Sequence, residues 1–313
     1  MMKILEKKKF IKFFKKMDDT ASILTKRNPK EKALFFAVGV LFAIYAIALI
    51  VPFIWLILMS FNNSETYLID RKLYGAFFIP KEFHFENYIN AFSKLTYDGT
   101  QNFLTMTLNS LWVVGLSSTY CMFWPVCTAY VIAKYKFKGR DFLYSVCIFC
   151  MTVPLGDTSG AYYKLVAAFG IYDKGPIFDL VTNVSGFGAG FSLIIYGIFK
   201  GISWEYAEAV FIDGGNDYTV FFRIMIPQAM PALLSLMVTH GITAWNEYLG
   251  ILLYKPSNLT ISAGMFYLST LTGTNGLPMY YAGLIMCILP ILIIYAFSVG
   301  GMMKNLTIGG LKG

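Results

Sequence analysis

The stretch ISWEYAEAVFIDGGNDYTVFFRIMIPQAMP, residues 202–231, places a compact acidic segment inside an otherwise apolar chain. Ser203 can cap a short helix over about residues 204–212, because a side-chain oxygen satisfies free amides of the first turn. Gly214 permits the left-handed turn that ends such a helix. A second helix is expected to start at Asn216 or Asp217. We therefore predict a helix–turn–helix, and we call residues 201–230 the acidic segment.

The rest of the chain is too apolar for a soluble domain. Of its 313 residues, 57% are hydrophobic and 14% are charged, whereas soluble domains average about 25% charged. Residues 33–60 and 103–133 carry no charge, and about 20 apolar residues cross a bilayer as a helix. No ten-residue alternation indicates a barrel. The fold class is therefore an all-α integral membrane protein, with β-sheet unlikely.

Six transmembrane helices are predicted. Pro125 should kink the second, and Pro227 and Pro231 should mark the turn into the fifth. The spans are 33–60, 103–133, one from Phe142 interrupted at Pro154–Asp157, 180–199, Pro231–Leu253 and Met279–Met303.

Lysine and arginine set the expected orientation, because cytoplasmic loops are enriched in them. Residues 1–32 hold eleven and residues 134–140 hold four, while residues 61–102 have four bases against five acids. We expect a basic cytoplasmic arm at 1–32, a transmembrane domain at 33–303 and a cytoplasmic tail at 304–313. The acidic segment is then cytoplasmic, and residues 61–102, 157–179 and 254–278 face outward. The net charge of +8 follows from this bias and does not indicate nucleic-acid binding.

The N-terminal arm has a pattern of its own. Phe10, Phe13, Phe14 and Met17 recur at helical spacing, with lysines on the other side. This is typical of a basic amphipathic helix on an anionic membrane surface. A disordered leader that only fixes orientation is an equal alternative.

Several function classes are excluded by missing motifs. The chain has no Gly-Lys dipeptide and so no P-loop for ATP. GFGAG at 186–190 lies in a predicted span and favours close helix packing. Cys147 and Cys150 form a lone pair without further ligands, so the cysteines are interpreted as packing residues. We predict no enzymatic activity, no metal and no cofactor in this chain.

The acidic segment exposes carboxylates beside small residues. Glu205 lies in the first turn, where the helix dipole favours negative charge. Small residues allow another surface to approach the backbone closely. From the residues alone, an ordinary interfacial loop is an alternative, since charged surfaces are common. The candidate docking residues are Glu205, Glu208, Ala209, Asp213 and Gly214.

The segment resembles the EAA loop of ABC importer permeases, of pattern EAA-x3-G-x9-I-x-L-P. Glu208-Ala209-Val210 is followed after three residues by Gly214, and after nine more by Ile224-Met225-Ile226-Pro227. Val210 and Ile226 are mild departures. The match in spacing spans twenty residues and is therefore specific.

The resemblance covers nearly the whole chain after residue 33. PKEFHFENYINAF at 80–92, NSLWVVG at 109–115, AWNEYL at 244–249 and NLTIGGLKG at 305–313 look like stretches of carbohydrate-uptake permeases, close to the second, G-type permease of maltose-type transporters. FWPVC at 123–127 departs, because the family usually has small residues there.

The resemblance implies a type I importer permease fold and an assembly. The expected partners are a second permease, with which a heterodimer is expected, two ATPase subunits that hold ATP and Mg, and an extracellular solute-binding protein. The substrate would be a carbohydrate, and lipids would surround the spans. The acidic segment would carry the coupling helix that docks into an ATPase cleft.

A polar stripe runs along the fifth predicted span. Ser235, Thr239, Thr243 and Asn246 recur on one face, bordered by His240 and Glu247. Such groups often face a cavity or partner, and Trp245 is expected to stack on a sugar ring. Glu247 completes the candidate substrate path. The alternative is that the stripe only joins helices by hydrogen bonds.

Two other transporter classes compete. A stand-alone secondary transporter requires midplane charges or inverted repeats, neither of which is clear. A peptide or amino-acid ABC permease would share the acidic segment but not the carbohydrate-type tail.

Overall fold

The computed structural model describes residues 29–75, 78–152, 159–182, 190–273 and 276–305. The basic arm up to residue 28, the interruption at Pro154–Asp157, residues 186–189 of GFGAG and the tail beyond Asn305 lie outside the described residues. The chain divides into two compact units, Met1–Leu58 and Met59–Gly313.

The described part of the first unit holds most of a long apolar helix. Helix α1 spans Pro29–Ser60, and its side chains are exposed along their whole membrane-length stretch. A helix that is apolar all round suits a lipid or partner-protein environment. The span predicted at 33–60 is confirmed.

The second unit begins with the segment between the first two long helices. It contains α2 (Tyr67–Tyr74), α3 (Glu86–Lys94), β1 (Thr96–Tyr97) and β2 (Gln101–Asn102). The two-residue strands pair antiparallel around a turn in which Asp98 and Gly99 both have positive φ. This hairpin is the one described exception to an all-helical chain.

The remaining elements are helices. They are α4 (Phe103–Lys134), α5 (Arg140–Thr152), α6 (Ser159–Ala168), α7 (Pro176–Thr182), α8 (Phe191–Gly201), α9 (Glu205–Ile212), α10 (Asp217–Asn246), α11 (Leu249–Tyr254), α12 (Ile261–Thr272) and α13 (Leu277–Asn305). Helix α4 starts with a capping box, in which Asn102 and Thr105 bond each other's backbone amides.

Among the described residues, α1, α4, α10 and α13 contain stretches long and apolar enough to cross a membrane. The predicted third and fourth spans correspond to shorter described helices. Helix α5 ends at Thr152, and the fourth span ends with α8 at Gly201, two residues beyond the predicted 199. The predicted outer segment 254–278 contains the helix α12.

The predicted start of the fifth span is wrong. Helix α10 begins at Asp217 and passes through Pro227 and Pro231 without a break. Its residues Val220–Met225 form a π-helix, and such wide turns absorb local disruption of the hydrogen-bond ladder. This π-helical turn lies directly before Pro227, so the lack of an N–H group at that proline does not end the helix.

The predicted end of this span is also wrong. Helix α10 stops at Asn246 because Glu247 adopts an extended backbone conformation. The Trp245 carbonyl, left without a helical partner, accepts a hydrogen bond from the Ser262 hydroxyl. Helix α11 then starts at Leu249, so the predicted span to Leu253 is two helices.

Two apolar clusters hold the second unit together. One joins α4, α8, α9 and α10 through residues such as Tyr130, Phe199 and Met225. The other joins the first half of α4 to α12 and α13 and includes Met106 and Leu268. The first cluster lies under the acidic segment and positions it.

Candidate functional site

The first half of the acidic segment is the predicted short helix. Helix α9 covers Glu205–Ile212 and carries Glu205 and Glu208 in its first turn. The N-cap residue is Trp204 and not the predicted Ser203, although the Ser203 hydroxyl accepts a 3.3 Å hydrogen bond from the Glu205 amide. Both carboxylates therefore lie near the positive end of the helix dipole.

A glycine pair ends this helix in a Schellman turn. Gly214 has a φ of 79°, and its amide bonds to the Phe211 carbonyl at 3.1 Å. The Gly215 amide bonds to the Val210 carbonyl at 2.8 Å. These two bonds are the pair that defines the motif, so the predicted left-handed turn is confirmed.

Gly215 is a structural requirement that the sequence analysis missed. A Cβ at this position would lie 2.4 Å from the Val210 Cγ1 atom and 2.9 Å from the Val210 carbonyl oxygen. Only glycine fits so close to the backbone of the preceding turn. The signal in the sequence was the Gly-Gly pair itself.

Helix α9 presents its acidic face outward. Ala207 is fully buried against the cluster that contains Val220 and Phe199. On the opposite side, Ile212 is 85% exposed. The five candidate docking residues are all exposed, and they are Glu205, Glu208, Ala209, Asp213 and Gly214. The structure thus brings them together on one surface of a packed helix, and we call this surface the acidic face.

The second helix of the segment starts as predicted. Asn216 caps it by accepting a 3.0 Å hydrogen bond from the Thr219 amide. Asp217 follows and accepts a 2.6 Å hydrogen bond from the Tyr135 hydroxyl. The Trp204 ring meets the Tyr135 ring edge-on at 5.7 Å, and the Lys134 ammonium donates to the Ile202 carbonyl. The end of α4 is therefore fastened to both halves of the acidic segment.

The polar stripe of α10 lies on the surface of this chain. Ser235 is half-buried, whereas Thr239, Thr243 and Asn246 are exposed. Each side chain donates to the backbone carbonyl four residues earlier in its own helix. Within the described residues, none of the four bonds to another helix, so the stripe does not join helices of this chain.

Two candidate path residues lie elsewhere. Trp245 is 4% exposed and packs in the cluster that contains Met106 and Leu268. The structure therefore does not bring its ring to the exposed stripe. Glu247 is exposed, and its carboxylate accepts a 2.7 Å hydrogen bond from the Gly250 amide. This carboxylate stabilises the start of α11.

His240 borders the stripe on its buried side. Its Nδ1 lies 3.4 Å from the Ser118 hydroxyl of α4. A Cβ on the adjacent Gly241 would lie 3.3 Å from that same hydroxyl and from Val114. This is a close crossing of α4 and α10, which keeps the opposite, polar face of α10 free. Within the described ranges, no three His, Cys, Asp or Glu residues form a potential metal site.

Comparison with known proteins identifies close similarities. Residues 125–301 match the family model described as binding-protein-dependent transport system inner membrane component. The inner membrane ABC transporter permease protein YcjP of Escherichia coli (strain K12) is 31% identical over 282 residues, covering 87% of this chain and 94% of that protein.

A second relative and a solved structure are also similar to this chain. The arabinooligosaccharides transport system permease protein AraQ of Bacillus subtilis (strain 168) is 27% identical over 295 residues, covering 93% of this chain and 100% of that protein. A chain in the crystal structure of a bacterial ABC transporter involved in the import of the acidic polysaccharide alginate is similar with a TM-score of 0.68. The match covers 87% of this chain and 97% of that one at 20% identity, which establishes a shared fold.

Proposed function

Because this chain belongs to the family of binding-protein-dependent transport system inner membrane components, we propose that it forms half of the translocation path for a sugar or oligosaccharide. It is a multi-pass permease subunit of an ABC importer, with the all-α fold of such permeases. Because the family consists of binding-protein-dependent transport components, a binding protein is a partner of this chain. The other half of the path comes from a second, non-identical permease.

A carbohydrate substrate is supported by the relatives. AraQ carries the name of a permease for arabinooligosaccharides, and the match spans that whole protein. Peptides and amino acids are the competing substrates for a permease with this acidic segment. Uptake of labelled oligosaccharides and peptides by cells expressing the full transporter separates them, and uptake of peptides alone contradicts the proposal.

The acidic face is the surface that engages the ATPase. The observation that carries this proposal is the rigid seating of α9, with Ala207 buried and Glu208 and Ala209 exposed. The carboxylates suit basic residues on the ATPase, and Ala209 and Gly214 allow close approach. Closure of two ATPase subunits would then pull the acidic face and bias the spans between two states.

ATP hydrolysis belongs to the separate ATPase subunits in this proposal. ATP and Mg bind there, and this chain contributes movement of its spans and no chemistry of its own. Its substrate contacts would come from Ser235, Thr239, Thr243 and Asn246, whose hydroxyl and amide groups are exposed towards the second permease. Trp245 is left out of the path because it is buried.

Both termini lie in the cytoplasm in this account, on the same side as the acidic face. This orientation is supported by the excess of lysine and arginine at 1–32 and 134–140. In a cysteine-free background, Lys136→Cys should resist a membrane-impermeant maleimide in intact cells, whereas Lys94→Cys should react. Reaction at position 136 contradicts the orientation.

Co-purification tests the docking proposal. Ala209→Arg adds a bulky charge to the acidic face and should abolish recovery of the ATPase with the permease, without loss of membrane insertion. Ala168→Arg, at an exposed alanine of α6, is the matched control and should retain the ATPase. Wild-type recovery with Ala209→Arg contradicts docking at this face.

A further inference from the structure

A cavity of about 410 Å³ lies in the segment that follows α1, far along the chain from the polar stripe. Its lining includes Asn63, Asp70, Tyr74, Phe78, Lys81 and Glu82. By the proposed orientation this segment faces outward, the side from which substrate arrives. The volume falls within the range of about 300–1,000 Å³ typical of small-molecule sites.

The backbone around the cavity is fixed by a buried amide. Asn87 is 4% exposed, and its Nδ2 atom donates to the Ser60 carbonyl at 2.8 Å and to the Asn62 carbonyl at 2.7 Å. Its Oδ1 atom accepts from the Ser64 hydroxyl at 3.0 Å. The His84 amide also bonds to the Phe61 carbonyl at 2.9 Å. The two ends of the lining segment are thereby held together, so the cavity is preformed.

One side of the cavity is aromatic. The rings of Tyr74 and Phe78 lie 6.5 Å apart at 41°, and Phe78 contacts the buried Tyr67 at 6.0 Å. The Lys81 ammonium lies over the Tyr74 ring at 4.9 Å from its centroid, so Phe78 supplies the aromatic surface for the apolar C–H face of a ligand. Because Phe78 rests on a fully buried residue, this side of the cavity has firm support.

The rest of the cavity lining carries two carboxylates, which accept hydrogen bonds, and one ammonium group. Asp70 accepts from the Thr66 hydroxyl through Oδ2 at 2.9 Å, which leaves Oδ1 for a ligand. In the ranges that the structure describes, the Glu82 carboxylate has no hydrogen bond or ion pair. Lys81 donates to the Tyr74 hydroxyl at 3.2 Å, and this bond raises the pKa of the Lys81 ammonium.

This combination selects a neutral, hydroxyl-rich ligand. Two carboxylates against one ammonium disfavour an anion, and the ammonium inside the cavity disfavours a metal ion. An apolar ligand would make no use of these carboxylate acceptors, whereas sugar hydroxyls can donate hydrogen bonds to them. We propose that this cavity is an accessory carbohydrate site on the outer face, which holds one or two sugar units of the substrate before they enter the path. It rests on the proposed carbohydrate function.

Direct binding to the assembled permeases and ATPase in lipid nanodiscs, without the binding protein, tests the site. The probes are maltotriose and arabinotriose, followed by saturation-transfer NMR and calorimetry. At least one should bind to the wild type in the millimolar range. Glu82→Gln and Asp70→Asn should each weaken this binding about tenfold, since the hydrogen bond from the ligand then has a neutral amide oxygen as acceptor instead of a charged carboxylate. Glu65→Gln, at an exposed acid on the same segment outside the cavity, should leave it unchanged.

A parallel uptake assay separates this inference from the proposed function. If sugars are taken up by the wild type, but neither probe binds without the binding protein or the three variants bind alike, the accessory site is wrong and the proposed function stands. If Glu82→Gln weakens only docking of the binding protein, the cavity is a protein contact and the inference is overturned. Absence of any sugar uptake contradicts the proposed function, and the binding titrations still decide the cavity.

Discussion

The Tyr135 hydroxyl donates a 2.6 Å hydrogen bond to the Asp217 carboxylate. Tyr135 follows the last residue of α4, and Asp217 is the first residue of α10. Two membrane helices are therefore joined where the acidic face lies. If the acidic face engages the ATPase as proposed, a displacement of this face would be transmitted to α4 through this hydrogen bond as well as to α10.

Tyr135→Phe should uncouple ATP hydrolysis from transport in part. The ring and its contact with Trp204 remain, while the hydroxyl's hydrogen bonds to Asp217 and Tyr130 are lost. The bond to the charged Asp217 acceptor is the stronger of the two and is worth about 1.5–3 kcal/mol. We expect substrate-stimulated ATPase activity to fall severalfold while the ATPase stays bound. Tyr218→Phe, which removes a hydroxyl from a 76% exposed ring, is the control. Equal stimulation in both variants argues against a coupling role.

This bond should not respond to physiological pH. Burial, followed by the hydrogen bond to Asp217, raises the pKa of the Tyr135 hydroxyl. A raised pKa contributes stability that is complete below the ordinary tyrosine value of about 10 and is lost only as pH rises above it. Stimulated ATPase activity in wild type and Tyr135→Phe should thus differ by a constant factor between about pH 6 and 9. A ratio that changes across this range contradicts the assignment.

Gly215→Ala should damage the turn after the acidic helix. The new Cβ would meet the Val210 carbonyl at 2.9 Å, and overpacking of this kind costs about 1–3 kcal/mol. ATPase retention during purification should fall. Gly197→Ala, at a helical glycine with open space around it, is the matched control and should be neutral or slightly stabilising. Full ATPase retention with Gly215→Ala would show that the turn tolerates distortion.

Lys255→Met should destabilise the second unit strongly. The Lys255 ammonium lies 2.6 Å from the Asp179 carboxylate, and both side chains are almost fully buried. Removing one member of a buried ion pair is strongly destabilising, at a cost of about 3–5 kcal/mol. Thermal unfolding in detergent should show a large drop, which Asp179→Leu in the same chain should mostly reverse. Lys94→Met, at an exposed lysine, should have little effect, and an equally small effect at Lys255 would contradict the account.

Thr239→Leu separates a substrate path from simple helix packing. Its hydroxyl bonds only to the Ser235 carbonyl of its own helix among the described residues, so the melting temperature should stay near that of wild type. Substrate stimulation of the ATPase should be lost with basal activity intact. Thr152→Leu, at an exposed threonine that bonds to the Ile148 carbonyl of α5, should retain stimulation. A lowered melting temperature with normal stimulation would leave the stripe as packing between the two permeases.

The sequence predicted the acidic segment well because its features are local. Helix caps and glycine turns depend on residues within one or two turns, so Gly214 and Asn216 could be assigned from their neighbours. The cap predicted at Ser203 was one residue off, because Trp204 is the N-cap. The position of Gly215 against Val210 is also local, but it requires knowledge of the actual turn type.

The predictions that were wrong concern features that depend on packing against other parts of the chain. Pro227 and Pro231 predicted a break, but the π-helix before them keeps α10 continuous. Trp245 lies in an apolar cluster because of how α10 is rotated against α12 and α13, and a repeat pattern alone does not fix that rotation. The hydrogen bonds of the Asn87 side chain and the ion pair between Lys255 and Asp179 join distant stretches of chain. No local sequence pattern predicts such contacts.

ATP-driven uptake into proteoliposomes tests the central claim most directly. Vesicles hold both permeases, with the ATPase and ATP inside and the binding protein with a labelled oligosaccharide outside. We predict uptake that requires the ATPase, ATP and the binding protein, and that Ala209→Arg in this chain abolishes. Uptake that continues without the ATPase, or unchanged with Ala209→Arg, would show a stand-alone transporter or a different docking surface and contradict the account.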